Sequence, residues 1–316
     1  MRTRPARQLD LTDSFLPTAP ANEFLDRLDA LVDWRPIRRE LEGLFTATTG
    51  RLPQPPLAVF KMLLLQNFYG LSDPQCEALV LDRLSWRKFT GLALTDRVPD
   101  ETTRVRFRQR LIEHGLHRQL LALVNEQLAA QGLIVREVTL VDATLVQAAR
   151  RAPAKGASGG GDADADDTVK AGQPHYGYKA PVAADRQHTL IRKADLSAAS
   201  VHDRQRFEAV VAGDEQVVIA DKAYDRESRS QWLQRRKVVN GILRRARRGQ
   251  RLSQTDQLMN RALSAIRSGI EKIFGPWKRN LGYRRVRYVG WARNRLELEF
   301  KGVVWNLKRW VNVSAA

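Results

Sequence analysis

The chain has 316 residues, 43% of them hydrophobic, and a formal net charge of +18. That length supports two domains with cores of their own, and the apolar content excludes a disordered chain. A single cysteine, Cys76, excludes a disulfide framework and a thiolate zinc site, while so large a positive charge calls for a polyanionic partner, nucleic acid before membrane.

Residues 1–20 read as a basic tail with no apolar run after its charges, so no signal peptide is expected and a reducing cytoplasm is the expected location. From Asn22 the apolar spacing turns helical, through Phe24, Leu25, Leu28, Leu31 and Val32, then Ile37, Leu41 and Leu44. The turn-rich connector GRLPQPP, at 50–56, delivers Pro56 to the first position of the next helix. That helix, LAVFKMLLLQNF, is apolar but short and interrupted by Lys61, so it reads as buried and not as a membrane span. Ser72 or Asp73 caps DPQCEALVLDRL, and Asp100 caps ETTRVRFRQRLIEHGL. A last helix runs from Arg118 to Ala130, which makes 21–133 an all-helical domain of five or six helices. Arg104, Arg106, Arg108 and Arg110 alternate on one helix and suit either a helix-turn-helix reader of DNA or an ordinary solvated helix. His114 and His117 lie too far from any carboxylate partner to make a metal site.

At Ile134 the period changes. VTLVDATLV reads as a buried strand ending at Asp142. The Gly-, Ala- and Asp-rich run after it reads as a flexible loop. Its Asp162, Asp164, Asp166 and Asp167 resemble the opening of a calcium loop but lack the late glycine and closing glutamate, so a solvated acidic loop is the better account. HYGYKAPVAAD and HTLIRKADLSAAS read as an antiparallel pair, VHDRQRFEAVV as a helix and QVVIADKAYD as a strand ending at Asp221. ESRSQWLQRRK is then a helix and VVNGIL a short strand. The order β-β-β-α-β-α-β-α predicts an α/β fold, a mixed sheet with flanking helices. SAIRSGIEKIFGPWKR, from Ser264 to Arg279, reads as one amphipathic helix ending near Gly275 and Pro276. On an ideal helix Arg267, Glu271 and Lys278 would share a face. A basic link, RRVRYVGWARN, leads into a final helix.

The carboxyl ends of parallel strands converge on one crevice, which gathers Asp142 and Asp221, and Glu271 from a helix closes the triangle. Three carboxylates without Cys or His suit a hard divalent cation, Mg²⁺ or Mn²⁺. Two such ions about 4 Å apart would clamp an in-line displacement at phosphorus. Lys222 follows Asp221, while His175 and Lys179 flank the second strand; these suit contacts to a phosphate backbone, although packing explains Tyr178 and Tyr224 at least as well. From Arg235 to Arg309 there are 21 basic residues against four acidic ones, more one-sided than a plain solvated face. Trp277, Tyr283, Tyr288 and Trp291 lie among them and suit either stacking on bases or core packing.

Together these segments resemble a DDE transposase of the bacterial insertion-sequence type, in the group called insertion-sequence family five, over nearly the full chain. LAVFKMLLLQNFYGLSDPQCE, DRLSWRKFTGL and VPDETTRVRFRQRL are similar to the helical domain that opens such proteins. TLVDATLV and VIADKAYD resemble the segments of the first and second aspartates, and HYGYKAPVAAD the second strand. The third carboxylate of the family lies in a box written Y-x2-R-x3-E-x6-K, matched by Arg267, Glu271 and Lys278 with Ser264 in the tyrosine position. That departure touches an auxiliary DNA contact and leaves the carboxylates intact.

The resemblance implies a helical DNA-binding domain over 21–133 and a ribonuclease-H-like catalytic domain over 134–316, with a basic C-terminal helix and without the large β-rich insertion of some relatives. It implies Asp142, Asp221 and Glu271 as catalytic ligands of two Mg²⁺ or Mn²⁺ ions. Arg267, Lys278, Lys222, Lys179, Arg244, Arg245, Arg247 and Arg248 are the implied DNA contacts. The implied partner is double-stranded DNA, both the element's terminal inverted repeats and its target, bound by a homodimer or higher oligomer near the bacterial nucleoid and away from membranes. Cleavage and strand transfer are the implied activities. The alternatives are a nuclease without strand transfer and a transposase-derived DNA-binding protein without catalysis. Against the last stands the intact carboxylate set, because acidic side chains beside phosphates weaken binding.

Overall fold

The computed structural model describes residues 22–45, 54–154, 160–170, 172–202, 205–246 and 249–315. The basic tail, the first part of the 50–56 connector, Arg247 and Arg248 lie outside the described residues. The chain divides into two units, Met1–Leu123 with Val311–Ala316, and Val124–Trp310.

The first unit is helical: α1 (Glu23–Leu31), α2 (Trp34–Glu42), α3 (Pro56–Tyr69), α4 (Asp73–Asp82), α5 (Leu84–Thr90), α6 (Glu101–Glu113) and the start of α7 (Leu120–Ala130). Every residue of α3 from Leu57 to Phe68 is buried, which accounts for its apolar character on all sides. DPQCEALVLDRL breaks at Arg83, whose extended backbone separates α4 from α5, so the described residues hold seven α-helices up to Ala130 where five or six are expected. The arginine series on α6 divides by face. Arg104 is wholly buried, Arg108 nearly so, and both reach Asp73, Arg108 with two bonds at 2.9 and 2.7 Å. Burial pushes the Asp73 carboxyl up, but Arg108, Gln66 and Arg104 outweigh it and hold it below the usual range. These two arginines are therefore core ion-pair partners. His117 is also structural, buried with Nδ1 3.2 Å from Leu111 O.

The second unit is built on β1 (Val138–Gln147), β2 (Asp166–Lys170), β3 (Gln173–Asp185), β4 (Ile191–Ala194), β5 (Ser197–Ala198), β6 (Val217–Ala220) and β7 (Val239–Ile242). The spatial order is β2-β3-β1-β6-β7, with β4 and β5 also on β3. β3 runs antiparallel to β1 and β4, while β1, β6 and β7 are mutually parallel. The path β4-β3-β1-β6-β7 is the ribonuclease-H-like arrangement that the resemblance implies, and the expected β3–β4 antiparallel pair is present. β2 corrects the loop reading of 166–170. Gly177 lets β3 close on β1: a Cβ there would lie 2.2 Å from Val146 O, at a φ of +157°.

Strand alternation sorts the faces. Val141, Val218 and Ala220 point into a cluster with Phe207 and Val210 of α8 (Phe207–Val210), Leu233 of α9 (Glu227–Arg235), and Tyr224. Leu140, Asp142, Ile219 and Asp221 consequently belong to the opposite face. That face is covered by α10 (Gln254–Arg267), a 3₁₀ turn (Ser268–Ile270) and α11 (Glu271–Arg279), whose Ile270, Ile273 and Trp277 are buried. The long α12 (Trp291–Val313) completes the unit. The acidic loop serves α12. Asp164 Oδ2 accepts from Trp291 N at 2.8 Å, and the buried Asp162 accepts from Gly290 N and from Tyr178 Oη at 2.7 Å. Neither aspartate is merely solvated: together they satisfy orphan donors at a helix start.

Candidate active site

β1 is longer than its sequence pattern suggests. Asp142 sits in its middle, opposite Val182 of β3, not at its end. β6 stops at Ala220, which pairs with Val141, so the next residues along, Asp142 and Asp221, are neighbours across the parallel ladder. Adjacent strands run about 4.8 Å apart, so both carboxylates rise from one small area of one face. Each takes the amide that follows it: Ala143 N donates to Asp142 Oδ1 at 2.8 Å and Lys222 N to Asp221 Oδ1 at 2.7 Å. The second oxygen of Asp142 is held by Arg267, whose Nη1 lies 2.6 Å from Oδ2.

Burial pushes the Asp142 carboxyl up from its ordinary range; the Ala143 amide and Arg267 oppose this, and the nearby Asp221 charge adds to it. Two like charges forced together are relieved by a cation, and a guanidinium stands on one of them. The oxygen donors, the repulsion between them and this cationic stand-in fit a hard divalent ion. Among the described residues, however, no three His, Cys, Asp or Glu side chains gather closely enough to hold a metal. Two of the expected three carboxylates come together, and Glu271 is exposed outside the pair.

The reason lies in the covering helix, which breaks before Glu271 and not at Pro276. α10 ends at Arg267, the 3₁₀ turn takes three residues, and α11 starts at Glu271 and continues through Pro276 to Arg279. An α-helix advances about 100° per residue and a 3₁₀ helix about 120°, so three tight residues add about 60°. Arg267 and Glu271, about 40° apart on a continuous α-helix, are instead about 100° apart. The turn rests on β1 through Gly269, where a Cβ would stand 3.3 Å from Leu140 Cδ1. Arg267 thereby faces Asp142, two residues along the same strand face. Pro276 forfeits one helical hydrogen bond, and the buried Ile273 and Trp277 on either side of it hold the helix in place.

The other expected residues scatter. Lys222 is exposed beside Asp221. Lys179 Nζ donates to Val201 O at 2.8 Å, which ties it to a loop. Arg244 and Arg245 are exposed, and Asp225 anchors them by accepting from Arg245 N at 2.8 Å and pairing with Arg244 at 3.7 Å. Lys278 is half-buried, and burial pushes its ammonium down, with Lys170 and Arg284 adding to the effect. Those last two residues escape the sequence reading: Lys170 falls in the supposed loop, and Arg284 in a link with no periodicity. Trp277 and Tyr283 are wholly buried, edge to face at 5.6 Å, and Trp291 Nε1 donates to Leu196 O at 2.9 Å. They are packing residues, as are Tyr178 and Tyr224.

Comparison with known proteins gives two family matches. Residues 13–110 match the family described as "Transposase domain (DUF772)". Residues 134–307, more than half the chain, match the family described as "Transposase DDE domain". A solved structure, "Cryo-EM structure of piggyBac transposase synaptic complex with hairpin DNA (SNHP)", aligns at 10% identity and a TM-score of 0.45, over 99% of this chain and 77% of that one. No helix among the described residues is long and apolar enough to cross a membrane.

Proposed function

The chain belongs to the DDE transposase family, and from that premise we propose that it cuts and joins DNA at the ends of an insertion sequence of the family-five group. The observation that carries this is the Asp142–Asp221 pair on neighbouring parallel strands, with a cation already standing on Asp142. Asp142 and Asp221 would hold a divalent ion, Mg²⁺ or Mn²⁺, which when bound supplies Lewis-acid activation of a phosphodiester. Arg267 supplies the counter-charge to Asp142 that an incoming metal would displace. Lys222 and the Arg244–Arg245 pair, exposed past the carboxyl ends of β6 and β7, lie where a DNA backbone could follow the crevice. Double-stranded DNA is the proposed partner, bound by two or more copies, and the helical domain is the proposed source of sequence preference.

The test is cleavage of DNA carrying the element's own ends, with Mn²⁺, by the wild type and by Asp142→Asn and Asp221→Asn. Both variants should still shift the DNA in gels, while cleavage falls by orders of magnitude and stops in EDTA. Undiminished cleavage by either variant refutes the site. The alternative, a transposase-derived binding protein, draws on the exposed position of Glu271 outside the pair. Glu271→Gln decides between them: loss of cleavage with retained binding shows that Glu271 joins the pair on DNA, and a wild type that binds but never cuts leaves the binding protein.

A further inference from the structure

α4 is apolar on two opposite sides, and the helical unit covers only one of them. Cys76 and Val80 are buried inside the unit. Pro74, Ala78 and Leu81 follow at i, i+4 and i+7 on the other side and are exposed, Leu81 at 55%. A helix that is apolar all round belongs in a core, so this outer stripe asks for a partner. Helices of the same unit that face water look different: α2 exposes Arg35, Arg38, Arg39 and Glu40. The apolar surface continues past the end of α4. Leu84 is exposed at the start of α5, three residues after Leu81. Tyr69, 44% exposed at the end of α3, stacks on the buried Trp86 at 4.9 Å between centroids, and the guanidinium of Arg83 stands 5.3 Å from the same ring. Three helices thus join one apolar patch.

Charge decides what can cover it. The unit holding α4 has 18 basic and 15 acidic residues, a net charge of +3, whereas the other has 35 and 20, a net charge of +15. α4 itself carries Asp73, Glu77 and Asp82 and no lysine or arginine, which disfavours nucleic acid as the occupant. Asp73 and Glu77 are answered by Arg104 and Arg108, and Asp82 adjoins Arg83, so the outer face is close to neutral. A second copy is repelled wherever two +15 surfaces meet, over about 8 Å at physiological salt. On the α4 face that repulsion is nearly absent and apolar burial supplies the attraction.

We propose that two copies of the chain associate through this face, α4 packing antiparallel on its counterpart about a two-fold axis near Ala78. The small Ala78 side chain lets the helix axes approach to about 8–10 Å, and Pro74 of one copy then meets Leu81 of the other. Tyr69 and Leu84 widen the contact toward the roughly 800 Å² per partner of a stable interface. This rests on the proposed function only in that two or more copies act together there; it names the surface that joins them, and the association needs no DNA.

The experiment is equilibrium sedimentation of the full chain without DNA. The wild type should form a dimer of two 35.9-kDa chains, and raising salt from about 0.15 to about 1 M should not weaken it, because the contact is apolar. Leu81→Glu should weaken the dimer at least about tenfold, while Leu258→Glu, at an exposed leucine of α10 in the other unit, should leave it intact. Ala78→Cys should give a disulfide-linked dimer under a mild oxidant, which the wild type does not because Cys76 is buried; this arm decides even where Leu81→Glu fails to fold. A monomeric wild type overturns the interface, and a fall in its melting temperature on Leu81→Glu would then assign the patch to another segment of the same chain. A dimer broken by Leu258→Glu and not by Leu81→Glu, or an Ala78→Cys chain that stays unlinked, overturns it as well. None of these results touches the cleavage test of Asp142 and Asp221.

Discussion

Arg267 marks the point where residue-level expectation and structure diverge. Its place in the box suggests a cation aimed at DNA, yet it lies 2.6 Å from an Asp142 oxygen. A metal approaching Asp142 meets a guanidinium on Oδ2 and an amide on Oδ1. Arg267→Ala should therefore tighten Mn²⁺ binding to the DNA-free protein, by about tenfold if the partly buried pair is worth about 1.4 kcal/mol. Arg267→Lys should stay near wild type. Calorimetry with Mn²⁺ at pH 8, where proton competition for Asp142 is small, reads the difference. Weaker binding in the alanine variant would mean that Arg267 holds Asp142 in its metal-ready rotamer and does not compete.

At the scale of elements, the acidic loop is the informative case. Asp162, fully enclosed, joins Tyr178, Gly290 and Asp164 around the start of α12. Removing it strands a buried phenol and an orphan helix-end donor, at a cost of about 3 kcal/mol. Asp162→Ala should lower the urea midpoint accordingly, and Asp167→Ala, exposed on β2, should change it little. Equal effects, or a stabilisation of the wild type by Ca²⁺, would restore the solvated or calcium-binding loop. The sequence displays aspartates and their spacing, but the backbone donors that claim them at the start of α12 arrive from 128 and 127 residues further on, Gly290 for Asp162 and Trp291 for Asp164, and no local pattern announces them. The same limit explains the misplaced break near Glu271. Pro276 is a visible local signal, whereas the 3₁₀ turn at Ser268–Ile270 is set by packing on Leu140. Strands with strong apolar runs, β1, β3, β6 and β7, were legible from burial and short-range alternation, whereas the position of Asp142 inside β1 was not, because the partner strand β3 that extends β1 lies beyond any local pattern.

The whole molecule concentrates its risk in its charge and spreads its core over two units. Cys76, the one thiol, is buried in the first unit with Sγ near Met62 O, and burial pushes it up to about 11. Its reaction with a disulfide reagent therefore reports opening of that unit alone. At neutral pH the folded chain should be protected by at least about 10³-fold relative to the chain in denaturant, and rapid native labelling would contradict the enclosed position. The parallel pairing of β1 with β6 has a temporal counterpart. Asp142 leaves the ribosome 79 residues ahead of Asp221 (221 − 142), and no acidic pair exists until the second strand has emerged and docked. At about 5–20 residues per second that interval is about 4–16 s. A nascent chain, or one from a message broken before codon 217, thus carries Asp142 without its acidic partner.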